Sequence, residues 1–373
     1  MPEKVVVAMS GGVDSSVAAL LLQQQGYDIV GVTLKLYNLE GSDLPANYQG
    51  CCTLDDVEDA RSVCRRLGIP HYVLNTQREF QSRVVDYFTS EYQLGRTPHP
   101  CIACNDKIKF GHLMERAAVL EADYIATGHY AQIERGPDGI VLKKAVDPSK
   151  DQSYVLFGMG QEQLARTLMP VGAYPKKEIR QMAEDAGLLI AAKPDSQDIC
   201  FIPSGDYKSF LKQRVTTDPG DIVDLDGTVV GRHEGIEYFT VGQRRGLGIA
   251  TGQPRFVVRL EPESRRVVIG PEEALLRDEM WVSGVNYPLG NPPQGPVEVN
   301  VKIRYKSTEA AAVLHPCGDG AIVRFARPQR SLTPGQAAVF YQGDVLLGGG
   351  TIEPEMGPGI GPGVPEELPA ATA

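Results

Sequence analysis

The chain has 373 residues, of which 42% are hydrophobic and 23% are charged, and its formal net charge is −10. These values fit a globular protein of two or three domains, and the negative charge argues against a general nucleic-acid coat protein. No apolar stretch reaches the ~18 residues of a membrane span, and a strand is predicted too early for a signal peptide to precede it. Seven cysteines without a secretory signal favour a reducing compartment. We therefore expect a cytoplasmic protein that has no membrane partner.

The first predicted element is a strand at residues 5–9, and the sequence SGGVDSS follows it at residues 10–16. A helical pattern begins at residue 17, which makes a strand–loop–helix unit. The two glycines let backbone N–H groups line an anion site, and Ser15 and Ser16 add hydroxyl donors at the helix N-terminus. The loop lacks the lysine that the P-loop NTPase pattern requires. It is predicted to bind phosphates in another way, the alternative being a tight turn without a ligand.

Strand and helix patterns continue to alternate over the first ~200 residues, as in proteins with a parallel sheet covered by helices. Further strands are predicted at residues 29–34, 71–74 and 124–127, and helices at 53–67, 80–94 and 110–120. In such folds ligands bind at the carboxyl ends of the strands. The glycine-rich loop and Gly128-His129 both follow a predicted strand, so we expect them to share one crevice.

The pattern changes near residue 203. Residues 203–270 are rich in glycine and charge, and residues 280–352 alternate between short strands and Pro/Gly turns, which predicts a small antiparallel barrel. We predict an α/β domain at residues 1–202, a central connecting domain at 203–275 and a C-terminal β-barrel at 276–353. Residues 354–373 have the composition of a disordered tail.

Two cysteine-containing segments are candidates for chemistry. Cys101 and Cys104 form a C-x-x-C that follows a proline-stiffened loop, and Cys200 lies in a polar stretch after the α/β domain. A C-x-x-C alone fits redox, metal or iron–sulfur chemistry. By contrast, Cys64 lies on an apolar helix face, and we interpret it and Cys317 as small buried side chains. Cys51 and Cys52 fall in a predicted loop, and their role is left open.

Several blocks together resemble one enzyme family over nearly all of residues 1–352. Besides SGGVDSS they are GRTPHPCIACN at 95–105, KIKFG at 107–111, ATGHYA at 126–131, KDQSYVL at 150–156, KPDSQDICFIP at 193–203, TVGQRRGLGI at 240–249 and KIRY at 302–305. In this order they resemble the tRNA-specific 2-thiouridylases of the PP-loop ATP pyrophosphatase superfamily. The resemblance implies a doubly wound parallel sheet of the adenine nucleotide α-hydrolase type, a small central domain and a C-terminal antiparallel β-barrel.

The same resemblance implies an ATP-dependent sulfur transfer to tRNA. The C2 oxygen of the wobble uridine would be adenylated, and a cysteine persulfide would then supply sulfur, giving 2-thiouridine, AMP and pyrophosphate. Cys104 matches the family's nucleophile, and Cys200 matches the cysteine that carries the persulfide and forms a transient disulfide with Cys104. The implied cofactors are ATP and Mg²⁺, the latter near Asp14. The implied partners are the tRNA anticodon loop and a sulfur carrier or cysteine desulfurase that donates the persulfide.

Binding residues are carried over from the matching blocks. Those implied for ATP are Ala8, Met9, Ser10, Gly11, Gly12, Val13, Asp14, Ser15, Leu34 and Gly128. Those implied for the target base are His99, Pro100 and Cys101. Those implied for tRNA are His129, Lys150, Asp151, Gln152, Arg304, Tyr305 and Gln336.

The chain departs from some relatives at the target-base strip, where they carry Asn in place of His99 and Asp in place of Cys101. Proton transfer by a carboxylate is therefore in doubt here. A minority hypothesis makes Cys101, Cys104 and Cys200 the ligands of a 4Fe–4S cluster with one open iron. Two other protein classes compete, a small-molecule synthetase with the same loop and a non-enzymatic redox or metal module. The synthetase class leaves the cysteine blocks unexplained. ATP-dependent incorporation of sulfur into tRNA would exclude the redox or metal module.

Overall fold

The fold is known from a computed structural model that describes residues 2–37, 54–137, 139–195, 199–202, 205–249 and 252–354. Cys51, Cys52 and the tail beyond residue 354 lie outside the described residues. No helix in these ranges is long and apolar enough to cross a membrane.

A parallel five-stranded sheet organises the N-terminal part, as predicted. The strands up to residue 168 are β1 (Lys4–Ala8), β2 (Asp28–Lys35), β3 (His71–Asn75), β4 (Tyr124–Ala126), β5 (Ala131–Gly136), β6 (Gly139–Lys144) and β7 (Thr167–Leu168). The order in the sheet is β3-β2-β1-β4-β7, and every neighbouring pair is parallel. Because β1 is central and apolar after Lys4, its side chains alternate between two cores, with Val5 and Val7 in one and Val6 in the other.

Helices cover both faces of this sheet, which confirms the doubly wound prediction. The α-helices are α1 (Val13–Gln24), α2 (Leu54–Leu67), α3 (Gln77–Phe80), α4 (Asp86–Gln93), α5 (Pro100–Cys104), α6 (Leu113–Val119), α7 (Gln161–Ala165), α8 (Lys176–Asp185) and α9 (Tyr207–Lys212). α1, α2 and α8 pack on one face, and α6 packs on the other. Short 3₁₀ helices occur at Ser153–Leu156, Pro170–Ala173, Leu189–Ala192, Ile236–Tyr238 and Glu272–Leu275.

The helical segment around the C-x-x-C begins earlier than predicted. The sequence predicts a helix from residue 110, but α5 begins at Pro100 and continues through a π-helical stretch, Asn105–His112, into α6. A proline is favourable at the first helical position because its missing N–H would have no partner there. Cys101 and Cys104 therefore lie on one helical turn. A second π-helical stretch, Gln81–Val85, joins α3 to α4.

The central part is a small mixed sheet. Its strands are β8 (Gly220–Val223), β9 (Val229–His233), β10 (Phe256–Glu261) and β11 (Arg266–Gly270), in the order β10-β11-β8-β9. Its apolar core includes Ile222, Val257 and Val267, each fully buried.

The C-terminal part is the predicted antiparallel barrel. Its strands are β12 (Leu276–Asn286), β13 (Val297–Lys302), β14 (Ala310–Cys317), β15 (Gly320–Arg330), β16 (Ala337–Gln342) and β17 (Val345–Ile352). The barrel closes because β12 pairs with both β15 and β17. The sequence analysis missed the hairpin of β5 and β6, which extends this sheet through the pairing of Val345 with Lys143. The β5–β6 hairpin, which belongs to the N-terminal part, thus continues the sheet of the barrel.

The barrel also holds the loop that precedes the C-x-x-C. The amide of Thr97 donates to the carbonyl of Pro334 at 2.8 Å, and the Gln336 side chain donates to the carbonyl of Thr97 at 2.8 Å. Arg96 pairs with Glu91 and with Glu353, which follows β17. The position of α5 is therefore fixed by contacts with the barrel.

Candidate functional site

The glycine-rich loop lies between β1 and α1 and is closed by its own hydrogen bonds. The Ser10 amide donates to Ser15 Oγ at 3.2 Å, and Ser16 Oγ donates to the Gly12 carbonyl at 2.8 Å. Gly11 has a φ of +73°, and a Cβ at that position would lie 2.2 Å from the Asp56 carbonyl oxygen. Only glycine fits both the left-handed conformation and this close approach. The loop is therefore preorganised as an anion site at the N-terminus of α1.

Gly128, at the end of β4, lies against this loop as the sequence predicts. A Cβ on Gly128 would be 2.5 Å from Ser15 N and 2.6 Å from the Asp14 carbonyl carbon. The side chains of Met9 and Val13 are buried in the core, so these residues can offer only backbone atoms to a ligand. Leu34 is half-buried near the end of β2. The ends of β1, β2 and β4 therefore bring the residues predicted to bind ATP to one edge of the sheet.

Asp14 is bound by two side chains that the sequence analysis did not single out. Its Oδ1 accepts hydrogen bonds from Tyr130 OH at 2.7 Å and from Lys176 Nζ at 2.6 Å. Burial and the nearby Asp14 carboxylate raise the pKa of Tyr130, so its phenol stays a donor. Mg²⁺ in nucleotide sites is commonly held by one or two carboxylates together with phosphate oxygens. The Asp14 carboxylate, half-buried beside the loop, fits that role.

The loop is also tied to the segment that leads to Cys200. Lys193 Nζ donates to the Gly11 carbonyl at 3.1 Å, to Asp56 at 2.8 Å and to Asp59 at 2.6 Å. Burial would lower the pKa of Lys193, but its bonds to both carboxylates raise it overall, so the amine remains charged. The sequence analysis did not single out Lys193. Its position as the first residue of the block KPDSQDICFIP is the sequence signal that could have identified it as a functional residue.

Cys104 and Cys200 come together in one apolar cluster although they are far apart in sequence. Cys104 is buried beside Phe80 and Phe201, and Cys200 is half-buried against the same group of side chains. Cys101, on the same helical turn as Cys104, is exposed. The geometry places one thiol inside an apolar cluster, a second at the edge of that cluster and the third at the surface.

The described residues contain no group of three or more His, Cys, Asp or Glu side chains that could hold a metal ion. The two cysteines interpreted as structural differ. Cys64 is buried against Gly31, and burial raises the pKa of its thiol to about 11, as expected for an inert side chain. Cys317 is exposed at the end of β14, so the prediction that it is buried is wrong. Cys317 is the last residue before the turn between β14 and β15, where, in the described part of the chain, no second layer of side chains covers it.

The predicted target-base strip consists of His99 and the first two residues of α5. Pro100 is buried, and the His99 ring lies 5.8 Å from the ring of Tyr154 and 6.4 Å from that of Tyr305. Burial lowers the pKa of His99 to about 4, so its imidazole is neutral at physiological pH. Its Nδ1 is buried and has no hydrogen-bond partner among the described residues. A neutral, unsatisfied ring nitrogen is available to a ligand.

Three of the predicted tRNA residues surround this strip. Arg304 donates to the Ser331 carbonyl at 2.5 Å, and the Tyr305 ring lies 6.0 Å from that of Tyr154. Gln336, which donates to the Thr97 carbonyl, lies beside the loop that precedes α5. Lys302 Nζ is 5.9 Å from the Tyr305 ring centroid and adds a positive charge.

The other predicted tRNA residues lie near the end of β4. Lys150 pairs with Asp195 at 2.8 Å, and the Asp151 carboxylate accepts from the Ser153 hydroxyl at 2.9 Å. Gln152 accepts from the Tyr130 amide at 2.9 Å. His129 is buried, and burial next to Lys109 holds its pKa well below the usual range. A contact of His129 with RNA would therefore be uncharged.

These features define a nucleotide-binding α/β enzyme of the PP-loop class with an attached β-barrel. Three family descriptions match the chain in order: tRNA methyl transferase HUP domain at residues 3–204, tRNA methyl transferase PRC-barrel domain at 208–271 and Aminomethyltransferase beta-barrel domain at 277–352.

Similar proteins narrow the class further. The chain is 49% identical over 356 residues to the tRNA-specific 2-thiouridylase MnmA of Desulforamulus reducens, covering 94% of this chain and 97% of the relative. It is 50% identical over 360 residues to the MnmA of Heliobacterium modesticaldum, covering 94% and 93%. The chain belongs to the MnmA family of tRNA-specific 2-thiouridylases.

Proposed function

We propose that this protein is a tRNA-uridine 2-sulfurtransferase that makes 2-thiouridine at the wobble position with ATP and a cysteine persulfide. The observation that carries the proposal is the placement of two residues of one motif, Lys193 and Cys200. Lys193 binds the phosphate loop at Gly11, and Cys200, seven positions later, packs in the cluster of Cys104. One short segment therefore joins a site for phosphates to a site for sulfur.

The first half-reaction activates the base. The uracil C2 oxygen is a poor leaving group, so it must be activated before sulfur can replace it. It attacks the α-phosphorus of ATP, and the bond from that phosphorus to the bridging oxygen breaks with release of pyrophosphate. Preorganised donors of the loop bind the phosphates as charge develops on them. Mg²⁺, held at Asp14, would neutralise phosphate charge. The adenylated oxygen can then leave as part of AMP in the second half-reaction.

The second half-reaction exchanges oxygen for sulfur. The terminal sulfur of a Cys200 persulfide attacks C2 and AMP departs, which leaves the base joined to Cys200 through two sulfurs. The Cys104 thiolate then attacks the Cys200 sulfur. This step releases the 2-thiouridine sulfur and forms a Cys104–Cys200 disulfide. A thiol reductant must reopen the disulfide, and a persulfide donor must reload Cys200.

The apolar cluster around both cysteines supports this assignment. An adenylated uridine is hydrolysed back to uridine if water reaches C2, so the site must exclude water. Side chains of Phe80, Phe88 and Phe201 supply that environment. At the rim, the neutral His99 and the exposed Cys101 are positioned to contact the base.

Barrel residues support an anticodon-loop contact. Sequence-specific RNA recognition usually targets unstacked single-stranded bases, which stack on aromatic or guanidinium planes. Tyr305 offers an aromatic plane beside the His99 strip, Arg304 offers a guanidinium group next to it in sequence, and Lys302 adds a positive charge near the Tyr305 ring. Arg244 and Arg245 add two positive charges in a glycine-rich segment of the central part, where Arg244 lines an open cavity of about 690 Å³.

Mass spectrometry of tRNA nucleosides tests the proposal. Transfer RNA lacking the modification is incubated with the protein, ATP, Mg²⁺ and a persulfide donor, and 2-thiouridine is expected. Cys104→Ser and Cys200→Ser should abolish it, whereas Cys317→Ser, a change of an exposed cysteine on the barrel, should not. Two of the matching family descriptions name a methyl transferase. A methylated uridine, or thiolation that persists without ATP, would therefore contradict the proposal.

A further inference from the structure

Three cations converge on one carboxylate beside the phosphate loop. Asp195 accepts from Lys150 at 2.8 Å, from Lys176 at 2.8 Å and from Arg180 at 2.8 Å. Lys176 also bridges to Asp14, the acidic residue of the loop, at 2.6 Å. These five side chains carry three positive and two negative charges, and the Asp147 carboxylate, which accepts the Lys176 amide, adds a third negative charge beside them.

Lys176 is the most enclosed member of this cluster. Its side chain is 10% exposed, compared with 30% for Asp14 and 23% for Asp195. Its position is fixed because it is the first residue of α8 and its amide donates to Asp147 at 3.0 Å. Removing an ammonium group from water is costly. A purely structural ion pair with Asp195 would need one cation, and three are present.

The glycine-rich loop itself contains no cation. In phosphoryl-transfer sites, Lys, Arg or metal ions stabilise the charge that builds up on the leaving phosphate. The backbone N–H groups of the loop can bind phosphate oxygens but carry no full positive charge. Lys176 brings an ammonium group to Asp14 at the mouth of this loop from α8, far away in sequence.

We propose that Lys176, supported by Arg180, binds the β- and γ-phosphates of ATP and the departing pyrophosphate. Asp195 holds both cations in place before the nucleotide arrives, and the triphosphate then replaces part of its contacts. When the bond between the α-phosphorus and the bridging oxygen breaks, the oxygen keeps the electron pair, and Lys176 stabilises the resulting charge. The inference rests on the proposed function, because it assigns the phosphate-binding cations of that reaction.

Calorimetric binding of ATP, AMP and inorganic pyrophosphate to the full-length protein tests this assignment. Lys176→Gln should weaken the binding of ATP and pyrophosphate about tenfold to hundredfold, since a charge-assisted contact is lost. AMP has no β- or γ-phosphate, so its affinity should stay unchanged. Lys176→Arg should restore part of the ATP affinity. Lys177→Gln, which removes the same charge from an exposed neighbouring position, should bind all three as wild type does.

The outcomes distinguish an error in this inference from an error in the proposed function. Wild-type ATP and pyrophosphate affinity in Lys176→Gln, with ATP bound normally by wild type, would overturn the inference and leave the proposed function standing. An equal loss of AMP and ATP affinity would also overturn it, because it would indicate a structural role. If Lys176→Gln does not fold, Arg180→Gln decides by the same selective loss of pyrophosphate binding. A wild-type protein that does not bind ATP would refute the proposed function itself.

Discussion

Replacing Gly128 by alanine should damage the ATP site through a collision with the phosphate loop. The Gly128 φ is not in the left-handed region, so the substitution is not strained by backbone conformation. The added methyl carbon would instead lie 2.5 Å from Ser15 N, 2.6 Å from the Asp14 carbonyl carbon and 3.0 Å from Asp14 Cβ. These atoms belong to the loop and cannot rotate away as the end of a flexible side chain can.

The size of the effect follows from these distances. Restoring ordinary contact requires β4 and the loop to separate by roughly 1 Å, and overpacking of this kind costs ~1–3 kcal/mol. If the cost falls on the loop conformation that binds ATP, the affinity for ATP should decrease by about tenfold to hundredfold, at ~1.4 kcal/mol per tenfold. The affinity for tRNA should decrease less than that for ATP, because the predicted tRNA contacts of the barrel lie away from β4 and only those around His129 lie close to it.

Calorimetric titration with ATP and a filter-binding assay with tRNA measure the two affinities. Gly160→Ala is the matched control, since a Cβ there meets nothing within 4 Å. The reasoning is refuted if Gly128→Ala binds ATP as tightly as Gly160→Ala does. It is equally refuted if both affinities decrease together, because that result would indicate general unfolding.

The remaining predictions concern other parts of the chain. Burial raises the pKa of the Asp106 carboxyl to about 6, so its ionised form destabilises the fold above that pH. Asp106→Asn should stabilise the protein by up to ~3 kcal/mol at pH 8 and by nothing below pH ~4, measured by thermal unfolding across pH; a pH-independent difference would contradict this. Cys101→Ser should keep substantial thiolation activity without bound iron, whereas joint loss of iron and activity would favour the cluster hypothesis. Arg304→Ala should weaken tRNA binding and its salt dependence more than Arg327→Ala, an exposed barrel control; equal effects would argue against a specific contact. Removing residues after 354 should leave activity unchanged, and a loss of activity would refute this prediction.

Local sequence signals predicted the parts of the site that depend on neighbouring residues. The loop at residues 10–16 and the strand that ends before Gly128 were placed correctly, because a glycine-rich turn between a strand and a helix has few possible conformations. The barrel was predicted for a similar reason, since alternation between short turns implies antiparallel strands.

The parts that were missed depend on contacts between distant residues. Lys176 lies in an ordinary amphipathic helix, and nothing in its neighbourhood shows that it binds Asp14. The hairpin of β5 and β6 gave no sign that it pairs with β17. The sequence analysis placed the prolines before the C-x-x-C in a stiffened loop and so missed the start of α5 at Pro100, although the first helical position tolerates proline.

The length of the segment between Lys193 and Cys200 limits how the two half-reactions can be arranged. Lys193 binds the loop carbonyl, Asp195 holds the cation cluster, and Cys200 packs beside Cys104. Seven residues span at most ~25 Å when fully extended, so the Cα atom of Cys200 cannot lie farther than that from the Cα atom of Lys193. A single uridine must present C2 to the α-phosphate and then to the persulfide without leaving the protein, because free water would hydrolyse the adenylated base. Direct tethering of the sulfur segment to the ATP loop satisfies that requirement within one site.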